Sequence, residues 1–311
     1  MKNSVMKYVL YAIIGLLALS ACQPKPADKE KLLEEIDSTM QAQVQTLLKD
    51  KMEETRAYAG QVLVMDAATG KMRVCAGWLR TKDRTYEEAP KCMDRYPLYY
   101  MRSTAYLAAM QTGKVKLTDT VDVGNGIYVQ GTDTIRDGNS HRGGYGPITY
   151  ARALSVESNV AHVKMLEKAF GTDTAAFRKG LRDLGYDRLM TTLQMLDFCR
   201  QVAIGGEIAT KENLTSMRQA MCLSMEEGFG IPARPEKVQA AGLTDIFRFR
   251  DETTGELSNY LQFCGYAPAE HPQYCILVSL CKKRNDGVPP SSGLMAGDLF
   301  KQVVDSVLFV E

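Results

Sequence analysis

The feature that most constrains this chain is a serine at the first turn of a short apolar helix. Leu107 and Met110 lie on one face of the predicted helix, and Gly113 ends it. Ser103 therefore falls in the N-terminal turn, and Tyr106 follows one turn later on the same face. A serine in this position is well placed to act as a nucleophile, provided that a neighbouring side chain takes its proton.

Further segments before and after this helix follow a recognisable order. They lie at 61–70, 102–106, 114–126, 140–149, 157–161, 192–196, 225–228, 241–245, 263–269 and 296–301. Together they resemble the transpeptidase domain of penicillin-binding proteins, and most of all the division-type enzymes of Gram-negative bacteria. The resemblance implies an α+β fold of the β-lactamase/transpeptidase type, with a five-stranded antiparallel sheet flanked by helices. It also implies serine acyl transfer by a D,D-transpeptidase as the family's reaction.

All three signature motifs of that family are altered here. The S-x-x-K motif is Ser103-Thr-Ala-Tyr106, the S-x-N motif is Glu157-Ser-Asn159, and the K-T-G motif is Leu243-Thr-Asp245. The resemblance therefore implies catalytic positions at Ser103, Tyr106 and Glu157, and substrate-binding positions at Ser158, Asn159, Leu243, Thr244 and Asp245.

These replacements change the proton chemistry of the site. The family's lysine can act as a base because burial and a second cation favour its neutral amine. Burial instead favours the protonated form of a phenol, whose ordinary pKa is about 10, so Tyr106 is predicted to be a poor base. Two interpretations remain open. The domain is catalytically degenerate and has a binding or scaffold role, or it is an acyl-serine enzyme in which Glu157 or Tyr106 serves Ser103 as base.

The replacements also change the charge of the site. Tyr106, Glu157, Leu243 and Asp245 each make the formal charge more negative by one unit than the family pattern. The family's substrates and β-lactam inhibitors present a carboxylate to this region. One unit charge at about 5 Å contributes roughly 3 kcal/mol at an effective dielectric constant of about 20. We therefore expect an anionic ligand to be repelled here.

Composition restricts the other classes of function. With 311 residues, 45% hydrophobic content and a net charge of +1, the chain is typical of a globular protein and has no electrostatic preference for nucleic acid. Its three histidines are too scattered to predict a metal site, and no glycine-rich loop predicts a phosphate-containing cofactor.

The N-terminal segment predicts export and lipid anchoring. Residues 1–21 have the charged start and short apolar run of a signal peptide, and they end in Leu-Ser-Ala before Cys22. That sequence is typical of bacterial lipoproteins, in which the cysteine is acylated. We expect residues 22–31 to form a tether and 32–311 the transpeptidase-like domain. The predicted location is the cell envelope, membrane-anchored and facing the periplasm, with a peptidoglycan stem peptide or wall-synthesis proteins as partners.

Periodicity predicts the secondary structure. A helix is expected over 28–56, strands over 61–66, 71–77, 243–250, 259–267 and 274–281, and a charged loop over 78–95. The segment 118–147 has no clear period. Seven cysteines remain after Cys22, an odd number that leaves at least one thiol unpaired. Cys264 and Cys275 lie on strands expected to pair, so a disulfide between them is one alternative, and buried thiols are the other.

Overall fold

The computed structural model describes residues 35–95, 100–250, 255–284 and 286–310. The predicted signal segment, the tether and Cys22 lie outside these ranges. Within them, none of the helices combines the length and apolar composition that a bilayer crossing requires.

A six-stranded antiparallel sheet organises the fold. Its strands are β1 (Ala59–Asp66), β2 (Met72–Arg80), β3 (Tyr86–Glu88), β8 (Ala241–Arg250), β9 (Leu257–Ala267) and β10 (Tyr274–Lys283). They lie side by side in the order β3-β2-β1-β10-β9-β8.

The prediction of a five-stranded sheet is wrong. The sheet has six strands, because part of the predicted charged loop pairs with β2. Strand β2 continues beyond its predicted end to Arg80 and so offers a free edge. Residues Tyr86–Glu88 occupy that edge, with Glu88 opposite Trp78. A three-residue strand is too short to show a period of two in the sequence.

Helices cover both faces of the sheet. They are α1 (Ser38–Thr55), α2 (Arg102–Gln111), α3 (Tyr150–Ser155), α4 (Asn159–Phe170), α5 (Thr174–Asp183), α6 (Thr192–Ile204), α7 (Lys211–Glu227) and α8 (Asp298–Val303), which is flanked by π-helical turns at Gly293–Gly297 and Val304–Leu308.

The central strand β1 shows how the sheet is buried on both sides. Leu63 and Met65 face the core beneath the large helical layer, whereas Val62 and Val64 face the core under α1 and α8. Alternate residues of a strand point to opposite faces, so a strand covered on both sides reads as a continuous apolar run. This sandwich of helices, sheet and helices agrees with the predicted α+β class.

The first helix begins later than predicted. Within the described residues it starts at Ser38, because the Asp37 carboxylate accepts hydrogen bonds from the backbone N–H groups of Thr39 and Met40. An aspartate in extended backbone with this bonding is a helix N-cap. The part of the prediction that falls before residue 35 lies outside the described residues.

The segment 118–147 forms two small hairpins. Thr120–Asp122 (β4) pairs with Pro147–Thr149 (β7), and Ile127–Gln130 (β5) pairs with Asp133–Arg136 (β6). The turn after β6 places Asp137 next to the start of α4. This irregular segment therefore supplies one residue of the candidate site.

No disulfide joins Cys264 to Cys275. In the pairing of β9 with β10, Cys264 faces Leu277 and Cys275 faces Tyr266. The two cysteines are therefore diagonal neighbours, about 7–8 Å apart between Cα atoms, which exceeds the usual span of a disulfide. The Cys264 thiol instead donates to the Met195 carbonyl at 3.8 Å.

Candidate functional site

Ser103 lies in the first turn of α2, as predicted, and is buried. The residue before the helix, Met101, has no side chain that can bond the exposed amides of the first turn. Those amides normally attract anions, because a helix N-terminus carries partial positive charge. The start of the nucleophile-type helix is therefore open to an acceptor from elsewhere in the fold.

Asp245 supplies that acceptor from the edge strand β8. Its Oδ2 accepts a hydrogen bond from the Arg102 backbone N–H at 2.9 Å. The strand is held in position because the Ser292 hydroxyl donates to the Asp245 carbonyl at 2.7 Å. A carboxylate of the chain itself thus occupies the helix N-terminus beside Ser103, at the position where the family pattern has a glycine.

Arg102 joins this helix to the second motif. Its Nη1 donates to the Ser158 carbonyl at 3.3 Å, and its Nη2 donates to Asn159 Oδ1 at 3.2 Å. Burial opposes the charge of the guanidinium, but the carboxylates of Asp245 and Glu157 outweigh it and raise the pKa of Arg102. Arg102 is therefore the fixed cation between two acidic side chains.

Glu157 lies in the tight connection between α3 and α4, with φ of 53°. A non-glycine residue in the left-handed region is strained unless its surroundings hold it there. Burial, and secondly the charge of Asp245, raise the pKa of this carboxyl to about 7, although Arg102 and the Thr244 side chain oppose the shift. Within the described residues, Glu157 is held by these groups of β8 and α2.

Ser158 and Asn159 serve the local structure. The Ser158 hydroxyl caps α4 by accepting from the Ala161 N–H at 3.1 Å and donates to Asp137 Oδ2 at 2.8 Å. The Asn159 amide donates to the Arg136 carbonyl at 2.8 Å. Both side chains, at positions that the resemblance assigns to substrate binding, thus make hydrogen bonds within the chain.

Tyr106 is fully buried among aromatic side chains of α3 and α4. Its ring stacks on His162 with centroids 5.8 Å apart and meets Tyr150 edge-on at 6.3 Å. Burial raises the pKa of the Tyr106 phenol and lowers that of His162, so the first stays protonated and the second neutral. Within the described part of the chain, the Tyr106 hydroxyl has no hydrogen-bond partner.

A small cavity remains between α2, α6, α7 and the edge strands. It measures about 20 Å³ and is lined by Ser103, Leu243, Thr244 and Asp245, together with side chains of α6 and α7 that include Cys199. A space of about 10–15 Å³ holds one water molecule. In this conformation the site therefore has room for about one water beside Ser103.

The structure brings the three altered motifs together, as the sequence order implied. Ser103, Thr244 and Asp245 line the cavity, and Glu157 interacts with the last two. Tyr106 is not among the lining residues, because its ring turns toward α3 and α4.

Sequence reasoning missed three residues of this site: Arg102, Asp137 and His162. One signal was available, since a cation in the first turn of a helix opposes the helix dipole and needs acidic neighbours. Asp137 and His162 carried no comparable signal, because the fold alone brings them to the site. The structure shows no group of three or more His, Cys, Asp or Glu side chains suited to a metal in its described residues.

The sequence of this chain is similar to that of a known protein domain. Residues 60–201 match the sequence model of the penicillin binding protein transpeptidase domain, which covers slightly less than half of the chain. No curated protein matches the sequence. The matched region contains the Ser103 and Glu157 motifs and ends before the motif on β8.

Solved structures match over most of the chain. The transpeptidase domain of the FtsI4 D,D-transpeptidase from Legionella pneumophila is 16% identical, with a TM-score of 0.63, covering 87% of this chain and 97% of that one. Penicillin-binding protein 3 from Mycobacterium tuberculosis, in complex with aztreonam, is 18% identical, with a TM-score of 0.68 over 86% and 76% of the two chains. The transpeptidase domain of Burkholderia pseudomallei penicillin-binding protein 3 is 17% identical, with a TM-score of 0.68 over 87% and 93%. The chain thus has the fold of a transpeptidase domain, and its residues 60–201 carry the sequence pattern of the penicillin-binding-protein family.

Proposed function

We propose that this chain is a cell-envelope protein whose transpeptidase-like domain binds a partner and does not transfer acyl groups. The observation that carries the proposal is the Asp245 carboxylate on the Arg102 N–H, 2.9 Å away. Acyl transfer needs free donors where negative charge develops in the transition state. An internal carboxylate at this helix N-terminus competes with any substrate oxyanion that approaches Ser103.

Two further features support loss of catalysis. The base position is taken by Tyr106, whose phenol is kept protonated by burial. General-base help typically contributes roughly 10² to 10⁴ in rate, and a protonated phenol cannot supply it. The remaining cavity of about 20 Å³ is also far below the several hundred Å³ typical of small-molecule sites. We infer that a peptidoglycan stem peptide or a wall-synthesis protein is recognised by the surface of the domain.

An acyl-serine enzyme with an altered base is the second candidate. It is favoured by Glu157, whose pKa of about 7 suits a general base near neutral pH. This carboxylate lies at the family position of the second motif. In that reading Glu157 takes the Ser103 proton, and Asp245 moves away from the helix when substrate enters.

A fluorescent penicillin separates the two candidates. We expect no covalent labelling of the purified chain at millimolar reagent, and the same result for Ser103→Ala. Stoichiometric labelling that disappears in Ser103→Ala would establish the enzyme and overturn the binding role. If labelling were found, its loss in Glu157→Gln but not in Tyr106→Phe would identify Glu157 as the base.

We also propose that the chain is anchored to a membrane, facing the periplasm, through lipid on Cys22. The motif Leu19-Ser-Ala-Cys22 supports this, since two or three acyl chains give stable attachment. Expressed in a Gram-negative host, the full chain is expected to partition into detergent, and Cys22→Ala is expected to stay aqueous. Equal partitioning of the two proteins would contradict lipid anchoring.

A further inference from the structure

A second and much larger cavity, open to solvent, lies away from Ser103 along α7. It measures about 530 Å³, within the roughly 300–1,000 Å³ typical of small-molecule sites. One wall is a single face of α7, and the opposite wall is formed by the end of β9 and the turn that follows it. The cavity beside Ser103, at about 20 Å³, cannot hold such a ligand.

The wall contains a buried donor without a partner. Tyr266 on β9 is fully buried, and its hydroxyl has no hydrogen-bond partner within the described residues. Burial raises the pKa of this phenol, so it stays protonated and leaves an unused hydrogen-bond donor on a residue of the cavity wall. Leaving such a group unsatisfied costs about 1–3 kcal/mol.

The wall also carries charges at two separated positions on α7. Arg218 donates to the Val202 carbonyl and to Thr215 Oγ1, which leaves part of its guanidinium free to bind a ligand. Glu226 lies about two helical turns further along α7, and Glu270, in the turn after β9, also lines the cavity. In the described part of the chain, none of the three charges forms an ion pair with another side chain.

The separation of Arg218 and Glu226 along α7 indicates the length of the ligand. Eight residues of α-helix span about 12 Å, which separates Arg218 from Glu226 along the axis. An extended peptide covers about 3.3–3.6 Å per residue. A peptide of about three residues therefore matches the separation of Arg218 and Glu226 along the helix axis.

We propose that this cavity, which shares no lining residue with the cavity beside Ser103, binds a short peptide with a free carboxylate and a free amine. The carboxylate binds Arg218 and the Tyr266 hydroxyl, and the amine lies between Glu226 and Glu270. The proposal does not depend on whether Ser103 reacts, because penicillin labelling and occupancy of this cavity are read at different residues.

The reactivity of Cys222 can report whether the cavity is occupied. It is half-buried in the middle of the cavity wall, between the two charged ends. Its alkylation by iodoacetamide can be followed by peptide mass spectrometry, with Cys75 on β2 as an internal control in the same sample. The probe is trialanine, compared with N-acetyl-trialanine, trialanine amide and free alanine.

We expect trialanine at millimolar concentration to slow alkylation of Cys222 and to leave Cys75 unchanged. Blocking either end should weaken protection about tenfold, since each block removes one charge-assisted contact. Tyr266→Phe keeps the ring and should weaken protection several-fold. Arg218→Met should abolish the difference between trialanine and its amide. Absence of protection, equal protection by all four compounds, or equal protection of Cys75 would each overturn the proposal.

Discussion

Replacing Arg102 with methionine is expected to lower the free energy of unfolding by about 2 to 4 kcal/mol at pH 8, because removing one member of a buried charge group leaves the others uncompensated. Asp245 and Glu157 would then face each other without a cation. Denaturant unfolding followed by circular dichroism measures the loss.

The pH dependence distinguishes this charge effect from lost packing. The folded Glu157 keeps its proton up to about pH 7, whereas its ordinary pKa is 4.5. In the wild type, stability therefore falls as pH rises through this interval, since the unfolded carboxylate ionises first. At pH 5 a protonated Glu157 needs no cation, so Arg102→Met should lower the free energy of unfolding clearly less than at pH 8.

Adding Glu157→Gln to Arg102→Met should recover part of the lost stability at pH 8. A loss that is the same at both pH values would contradict the charge account.

Tyr106→Ala and Tyr106→Phe are expected to change stability in opposite directions. The alanine variant leaves a cavity under α3 and α4 and should lose about 3–5 kcal/mol. The phenylalanine variant removes a buried hydroxyl without a partner in the described residues, and should gain about 1 kcal/mol. Thermal and denaturant unfolding measure both changes.

Tyr260→Phe is the matched control for the hydroxyl. Tyr260 is equally buried, but its hydroxyl bonds Ser279 Oγ at 2.9 Å, so its removal should lose about 1 kcal/mol. If Tyr106→Phe is destabilised like this control, the Tyr106 hydroxyl has a partner in solution. That outcome would support the alternative in which the Tyr106 hydroxyl acts on Ser103.

The sequence predicted those parts of the fold that local patterns determine. The helix that carries Ser103 follows from its apolar spacing and from Gly113, which ends it. The early and late strands were placed within a few residues. Strand β3 could not be predicted, because its pairing depends on the edge that β2 offers.

The candidate site was predicted as a set of positions, but its contacts were not. Asp245 and Arg102 are 143 residues apart, and nothing in either segment indicates that a carboxylate caps α2. The surroundings of the Tyr106 ring could not be predicted either, because helical spacing indicates the face of α2 on which it lies but not the residues that pack against it. Contacts between segments far apart in sequence come from the packed fold and not from local propensity.

The short strand β3 also affects how the molecule behaves beside other copies of itself. An open sheet edge invites pairing with a strand of another chain, and charged side chains on a brief edge strand discourage it. Glu87 and Glu88 are both exposed there. Two neighbouring molecules that meet along this side would oppose like charges, which disfavours extension of the sheet at this edge.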